Sequence, residues 1–152
     1  MASAAQRYVF LVRRPVNDAL VTLRELRSSL AELHAAIVRF SDIESVDEAA
    51  LDEVVTQEER EAVREKFANL PVNGYWEMSD PLDPSVTEPV FGVLEDDLAD
   101  IYAGLAPGLS AVEAGDARSA AAHWRWTFKH RWGRRLLAAE RVVYEYFRSL
   151  EI

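Results

Sequence analysis

The sequence predicts an all-α fold, a compact bundle of about four main helices with a long proline-rich loop between the second and the third. Three observations carry this. From Asp116 to Leu150 the residues Trp124, Phe128, Trp132, Leu136, Ala139, Val143 and Phe147 recur at steps of three or four, which in a helix makes one long apolar face. The same periodicity runs from about 16 to 40 and again from about 93 to 114. Finally, 152 residues at 49% hydrophobic content suffice for one core, so a single helical domain over 1–152 is expected.

In the first fourteen residues, Tyr8-Val9-Phe10-Leu11-Val12 has strand-like residue types without alternation, and a lone strand has nothing to pair with. Residues 1–14 therefore read as an arm or a short helix. Pro15 suits a first helical turn, after which Leu20, Leu23, Leu30, Ile37 and Phe40 mark the first secure helix. Ser41 to Val55 is acidic and weakly apolar, a connection with one helical turn around Asp47 to Val54. Thr56-Gln57-Glu58-Glu59 fits a capping box, in which the threonine oxygen and the glutamate carboxylate each bond the other's backbone N–H. A helix over about 57 to 69 follows, turning Val63, Phe67 and Leu70 to the core and ending at Pro71.

Leu70 to Val90 holds Pro71, Pro81, Pro84 and Pro89 with Asn73-Gly74, a composition hostile to helices and to central strands. Tyr75, Trp76 and Met78 argue that this loop is packed; the alternative is a small hairpin turned by Asn73-Gly74. In the third helix, Glu95, Asp96 and Asp97 occupy the first turn, where outward-pointing N–H groups favour negative charge. Pro107 with Gly104 predicts a kink near 103–106. Gly115 stops this helix and Asp116 caps the next, and so short a link makes the two helices antiparallel neighbours.

Charge and composition narrow the function classes. The net charge of -9 argues against nucleic-acid binding, which requires a dominant basic field. From Phe67 to Ala117 there is no Lys or Arg against ten acids, whereas Arg118 to Arg148 carries eight basic residues against Glu140 and Glu145. The two stretches can neutralise each other within one fold, or the basic one can face an anionic partner. Without cysteine there is no thiol nucleophile and no thiolate metal site. The apolar run at Tyr8 to Val12 is too short for a signal peptide, and no stretch approaches the roughly 20 apolar residues of a membrane span, so a soluble cytoplasmic protein without membrane partners is expected.

Several blocks resemble a known family: Tyr75-Trp76-Glu77, Asp80-Pro81, Glu88-Pro89-Val90, Leu94 with Asp96-Asp97-Leu98-Ala99-Asp100-Ile101-Tyr102, then Trp124-Arg125-Trp126, Phe128, His130 and Trp132-Gly133. Over roughly Leu33 to Phe147 the chain resembles the bacterial family catalogued as domain of unknown function 5063. The resemblance implies a small all-helical domain. That family has no established activity, so no residue role is carried over. Two departures stand out: Ala106-Pro107-Gly108 replaces a charged, helix-compatible segment, and only about fourteen residues precede Pro15 where relatives often carry a further N-terminal helix.

Candidate sites are few. Asp96, Asp97 and Asp100 form the densest carboxylate group, with Asp96 and Asp100 on one helix face; they suit either a hard divalent cation, helped by Glu77 and Asp80, or ion pairs to Arg131, Arg134 or Arg135. His123 and His130 share a helix side but lie about 10 Å apart in rise, too far for one metal, so no metal site is assigned. His130 oriented by a neighbouring aspartate could act as a general base; a histidine making one structural hydrogen bond is the plainer reading, and His34 invites the same one. Trp124, Phe128 and Trp132 are spaced as core, though with Trp126 they also suit an aromatic box for a cationic ligand. Trp126 lies off that stripe beside His130 and Gly133, and a loop carrying Tyr75 and Trp76 across this point would explain Trp126 and Gly133 together. That junction, with the aspartates, is the first-choice binding surface. The sequence indicates no catalytic motif and no cofactor. It favours a protein-interaction or accessory module with a protein partner, homo-oligomerisation being open; the alternative is a metal-assisted hydrolase or small-molecule binder using the aspartates and His130.

Overall fold

The computed structural model describes residues 1–41 and 49–150. In chain order the elements are α1 (Ala2–Arg13), α2 (Ala19–Ser41), α3 (Gln57–Phe67), strands β1 (Gly74–Met78) and β2 (Pro89–Val93), α4 (Leu94–Glu113), α5 (Ala117–Thr127), a π-helical turn (Phe128–Trp132) and α6 (Gly133–Leu150). The fold is mostly helical, but it is not all-α.

The first fourteen residues form a helix rather than an arm. Ala4, Ala5, Tyr8, Val9, Leu11 and Val12 are buried along one side of α1, against α2 and α4. The Tyr8 hydroxyl donates to the Leu98 carbonyl at 2.8 Å, so the aromatic-rich run is tied into the core. Pro15 lies outside the second helix; Asp18 caps it instead, its carboxylate accepting from Val21 N–H. Leu23, Leu26, Leu30, Leu33 and Ile37 are then fully buried at helical spacing. The capping box at Thr56 and Glu59 is complete, and Val63, Phe67 and Leu70 are buried as expected, although α3 closes at Phe67. Of the helical turn expected over 47–54, residues 47 and 48 lie outside the described residues and 49–54 carry no helix.

The expected long loop is largely an antiparallel hairpin. Trp76 pairs with Phe91 and Met78 with Pro89, and residues 79–88, with Pro81 and Pro84, connect the strands. Pro89 is tolerated because it opens its strand. Asn73-Gly74 does not make the turn. Gly74 begins β1, and Asn73 caps α4 across the hairpin base: its backbone carbonyl accepts from Leu94 N–H at 2.9 Å and its side-chain oxygen from Glu95 N–H at 3.2 Å. Val93, the residue at the cap position, has no side chain able to do this.

Helix α4 is the axis. It packs against α1, α3, α5 and α6, and its apolar residues are buried on all sides, as a central helix requires. Gly104 and Gly108, one turn apart, are notches: a Cβ at Gly104 would collide with the Trp132 indole and one at Gly108 with the Trp124 indole. Pro107 is accommodated inside the helix. Gly115, at φ 83°, ends α4 in a Schellman motif, with Gly115 N–H bonded to Val112 O and Asp116 N–H to Ala111 O. Asp116 then caps α5 through Ser119 N–H at 3.0 Å.

The last segment is helical throughout but not uniform. The π turn absorbs one residue, which rotates everything after it by about 100° relative to a plain α-helix. Trp124 and Trp132, eight residues apart, thereby reach the same neighbour and are 2% and 0% exposed, while Phe128 is half-buried with its ring edge-on to Trp132 at 5.0 Å. Leu136, Ala139 and Val143 continue the buried stripe and Phe147 lies at its partly exposed end. Among the described residues no helix is long and apolar enough to cross a membrane.

Candidate functional site

Two clusters of polar and aromatic groups meet around the N-terminal half of α4. In the first, Asp97 is fully buried and receives the Tyr75 hydroxyl at 2.5 Å and Arg135 Nη1 at 3.2 Å. Arg135 Nε lies 3.2 Å from Asp100, whose other oxygen pairs with Arg60, and Arg64 Nε lies 2.8 Å from Asp96. Thus the pair that shares one guanidinium is Asp97 and Asp100, three apart, not Asp96 and Asp100. The basic end does neutralise the acidic middle through Arg135, with Arg60 and Arg64 of α3 completing the balance. Burial pushes the Asp97 carboxyl up to about 7, against the opposing pull of the Tyr75 hydroxyl and Arg135 and with Glu77 adding to the rise. Burial, then the bond to Asp97, drives the Tyr75 hydroxyl well above its ordinary value. Tyr75 is the hairpin's anchor: its ring covers Gly92 on the partner strand while its hydroxyl reaches α4.

The second cluster centres on His123. Its Nδ1 accepts from Leu51 N–H at 3.0 Å, which leaves Nε2 to donate to the Gly104 carbonyl at 3.0 Å. Burial holds this ring below the usual histidine value, with the Gly104 bond pulling the other way, so a neutral imidazole with both nitrogens used is the stable form. Trp124 Nε1 donates to Leu105 O at 3.1 Å and Trp132 Nε1 to Thr127 Oγ1 at 2.9 Å, and the Thr127 hydroxyl in turn donates to the His123 carbonyl at 2.7 Å. These bonds keep the indoles seated over Gly104 and Gly108 with no polar edge orphaned. Such rings are interior packing, not an aromatic box.

The expected junction separates into parts. Tyr75, Asp97 and Asp100 are brought together, with Asp96 one turn away on Arg64. Trp126, half-buried, lies against His130 at 4.7 Å between ring centroids with a 40° tilt, and beneath the Arg131 guanidinium at 4.9 Å. His130 is exposed, and none of the described polar contacts of the three aspartates involves it. Gly133 is explained by its own helix: a Cβ there would strike the Phe128 carbonyl and ring, so the π turn, not a crossing loop, demands the glycine. The hairpin docks elsewhere, through Tyr75 on Asp97, Asn73 on Glu95 and Arg134 on the Ser79 carbonyl at 2.7 Å. Among the described residues no group of three or more His, Asp or Glu is placed to hold a metal ion. His34 is hydrogen-bonded through Nδ1 to the Glu140 carboxylate at 2.7 Å.

Sequence reasoning missed Phe91, and it named Arg131 only as an ion-pair partner for the aspartates, a place that Arg60, Arg64 and Arg135 take. Trp76 and Phe91 stand opposite each other, edge-on at 5.2 Å, and are 68% and 60% exposed. The signal for Phe91 was the run Val90-Phe91-Gly92-Val93 placed after a second proline-bearing segment, the mirror of Tyr75-Trp76-Glu77-Met78. Nothing in the sequence placed Arg131 beside His123, because the π turn moves it into the position that an unbroken helix would give His130.

The sequence model of the family described as "Domain of unknown function (DUF5063)" matches residues 1–148. Among solved structures, the crystal structure of protein BF1032 from Bacteroides fragilis has a TM-score of 0.70 over 95% of this chain and 90% of that one, at 18% identity. That likeness is one of fold alone. No curated protein matches the chain.

Proposed function

The chain belongs to the DUF5063 family, and for this member we propose a protein-docking role in which the outer face of the hairpin receives an apolar segment of a basic partner protein. The observation that carries it is the exposed Trp76–Phe91 pair. With Met78 and Pro89 directly beyond, it forms a continuous apolar strip on the side of the sheet turned away from Tyr75 and α4. Two large aromatic rings kept in water on a two-stranded sheet do little for the fold, and strips of this kind are where partners bind. Charge supports the choice of partner. Residues 74–93 carry Glu77, Asp80, Asp83 and Glu88 and no Lys or Arg, so a second copy set on this face would oppose like charges, whereas a Lys- or Arg-flanked apolar segment would be drawn to it.

Selection from a displayed library of random peptides tests this. Enriched sequences should combine aromatic or aliphatic anchors with Lys or Arg, lose affinity at higher salt, and fail to bind a Trp76→Ala/Phe91→Ala variant. Enriched peptides that are acidic, or that bind the double variant equally well, would overturn it. So would sedimentation showing a dimer that the double substitution dissociates, since the strip would then belong to a second copy.

A further inference from the structure

A cleft of about 290 Å³ lies between α3, α4 and the α5–α6 segment, away from the hairpin, with Arg60, Arg131, Arg135, Asp100, His123 and Glu53 among its walls. We propose that it binds a small oxyanion, the carboxylate or phosphate group of a metabolite, with Arg131 as the principal contact. Three features of the cleft support this.

Three guanidinium groups line the cleft against two carboxylates, a local cationic excess in a chain whose net charge is -9. Two of the three are held in place. Asp100 pairs with Arg60 through one oxygen and with Arg135 through the other, and Arg135 is gripped again by Asp97. Arg131 differs: its guanidinium is stacked on Trp126, and no carboxylate among the described residues pairs with it. An arginine fixed by an aromatic face keeps its planar fork of donors open, the geometry that carboxylate and phosphate oxygens match.

The backbone also favours this position. The π turn costs a regular helical hydrogen-bond pattern, and such insertions gather at functional sites. Its consequence is that Arg131 and, one turn on, Arg135 face the same cleft as His123 of the preceding helix. His123, its Nδ1 taken by Leu51 and its Nε2 by the Gly104 carbonyl, is a neutral wall of the cleft. Val55 and Ala103, both partly buried, add apolar surface to the lining, which strengthens an ion contact beside it. The volume suits a metabolite smaller than a drug-sized ligand.

The test uses the full chain, labelled with nitrogen-15, titrated separately with inorganic phosphate and with succinate, each against sodium chloride at matched ionic strength. The proposal expects a saturable shift of the arginine Nε–H signals with one of the two anions and none with chloride, and the anion that saturates at the lower concentration assigns the ligand class. Arg131→Gln should weaken that binding by about tenfold or more, Arg131→Lys by less, and the indole signals of Trp124 and Trp132 should stay in place in both variants, reporting an intact fold. Shifts that do not saturate with either anion, or an affinity unchanged by Arg131→Gln, would overturn it. No hairpin residue takes part, so a Trp76→Ala/Phe91→Ala variant should bind the anion normally, which keeps this outcome separate from that of the docking role.

Discussion

The α4–α5–α6 interface and the hairpin use the same aromatic side chains to opposite ends. At the interface, Trp124 and Trp132 sink into glycine notches on α4, and each indole N–H has a buried acceptor. On the hairpin, Trp76 and Phe91 meet edge-on, with the Phe91 ring over Gly74, and both are mostly in water. The difference separates residues the fold depends on from residues it can do without, and only the second kind is free to serve a partner. Removing an interface ring should therefore unfold the chain readily. Trp132→Ala is expected to cost about 3–5 kcal/mol in urea unfolding, the range for a buried aromatic truncated to a cavity. A cost under about 1 kcal/mol would mean the notch closes on its own and that packing here is not decisive.

Asp97 joins the two regions, since the hairpin's Tyr75 and the helix's Arg135 both bind it. Folding keeps Asp97 protonated up to about pH 7, whereas in the unfolded chain it ionises near 3.8. Between those values the native state holds the extra proton, so stability falls as pH rises through this window, by no more than roughly 4 kcal/mol. In Asp97→Asn that loss is absent. The variant should gain on the parent from about pH 4 to about pH 7, with a constant difference above, as followed by unfolding at a series of pH values. Parallel curves for the two proteins would show that the buried carboxyl is ionised throughout.

A smaller effect probes the notch itself. Gly104→Ala gains up to about 1 kcal/mol in helix propensity but forces a methyl group into the Trp132 ring, an overpacking cost of roughly 1–3 kcal/mol. Net destabilisation of up to about 2 kcal/mol is expected, whereas a more stable variant would show that the indole can step aside.

Sequence reasoning succeeded where the signal was local. The Thr56 and Glu59 capping box, the stop at Gly115 and the cap at Asp116 are each written in two to four adjacent residues, and each forms as read. It failed where tertiary packing decides. In α1 the β-branched and aromatic run Tyr8 to Val12 left an arm and a short helix both open, and burial of Tyr8 against Leu98 decides for the helix over intrinsic preference. The four prolines of 71–89 masked the hairpin, although all of them fall outside the strands or at the first residue of one. A π turn has no sequence signature, so His130 and not Arg131 was placed on the side of His123, although the buried stripe Trp132, Leu136, Ala139 and Val143 was read correctly across the turn. Of the candidate surface, Tyr75, Asp97 and Asp100 meet around Arg135, and Trp76 is exposed on the hairpin's other side. Trp126, His130 and Gly133 belong to the turn instead.

The contrast between the two regions is tested most directly by urea unfolding of Trp76→Ala/Phe91→Ala beside Trp132→Ala. If the hairpin rings serve a partner, the double variant should lie within about 1 kcal/mol of the parent, the size of one cross-strand pair, while Trp132→Ala loses several times more. Equal losses in the two variants would contradict the account, because Trp76 and Phe91 would then be holding the fold together and would not be free for docking.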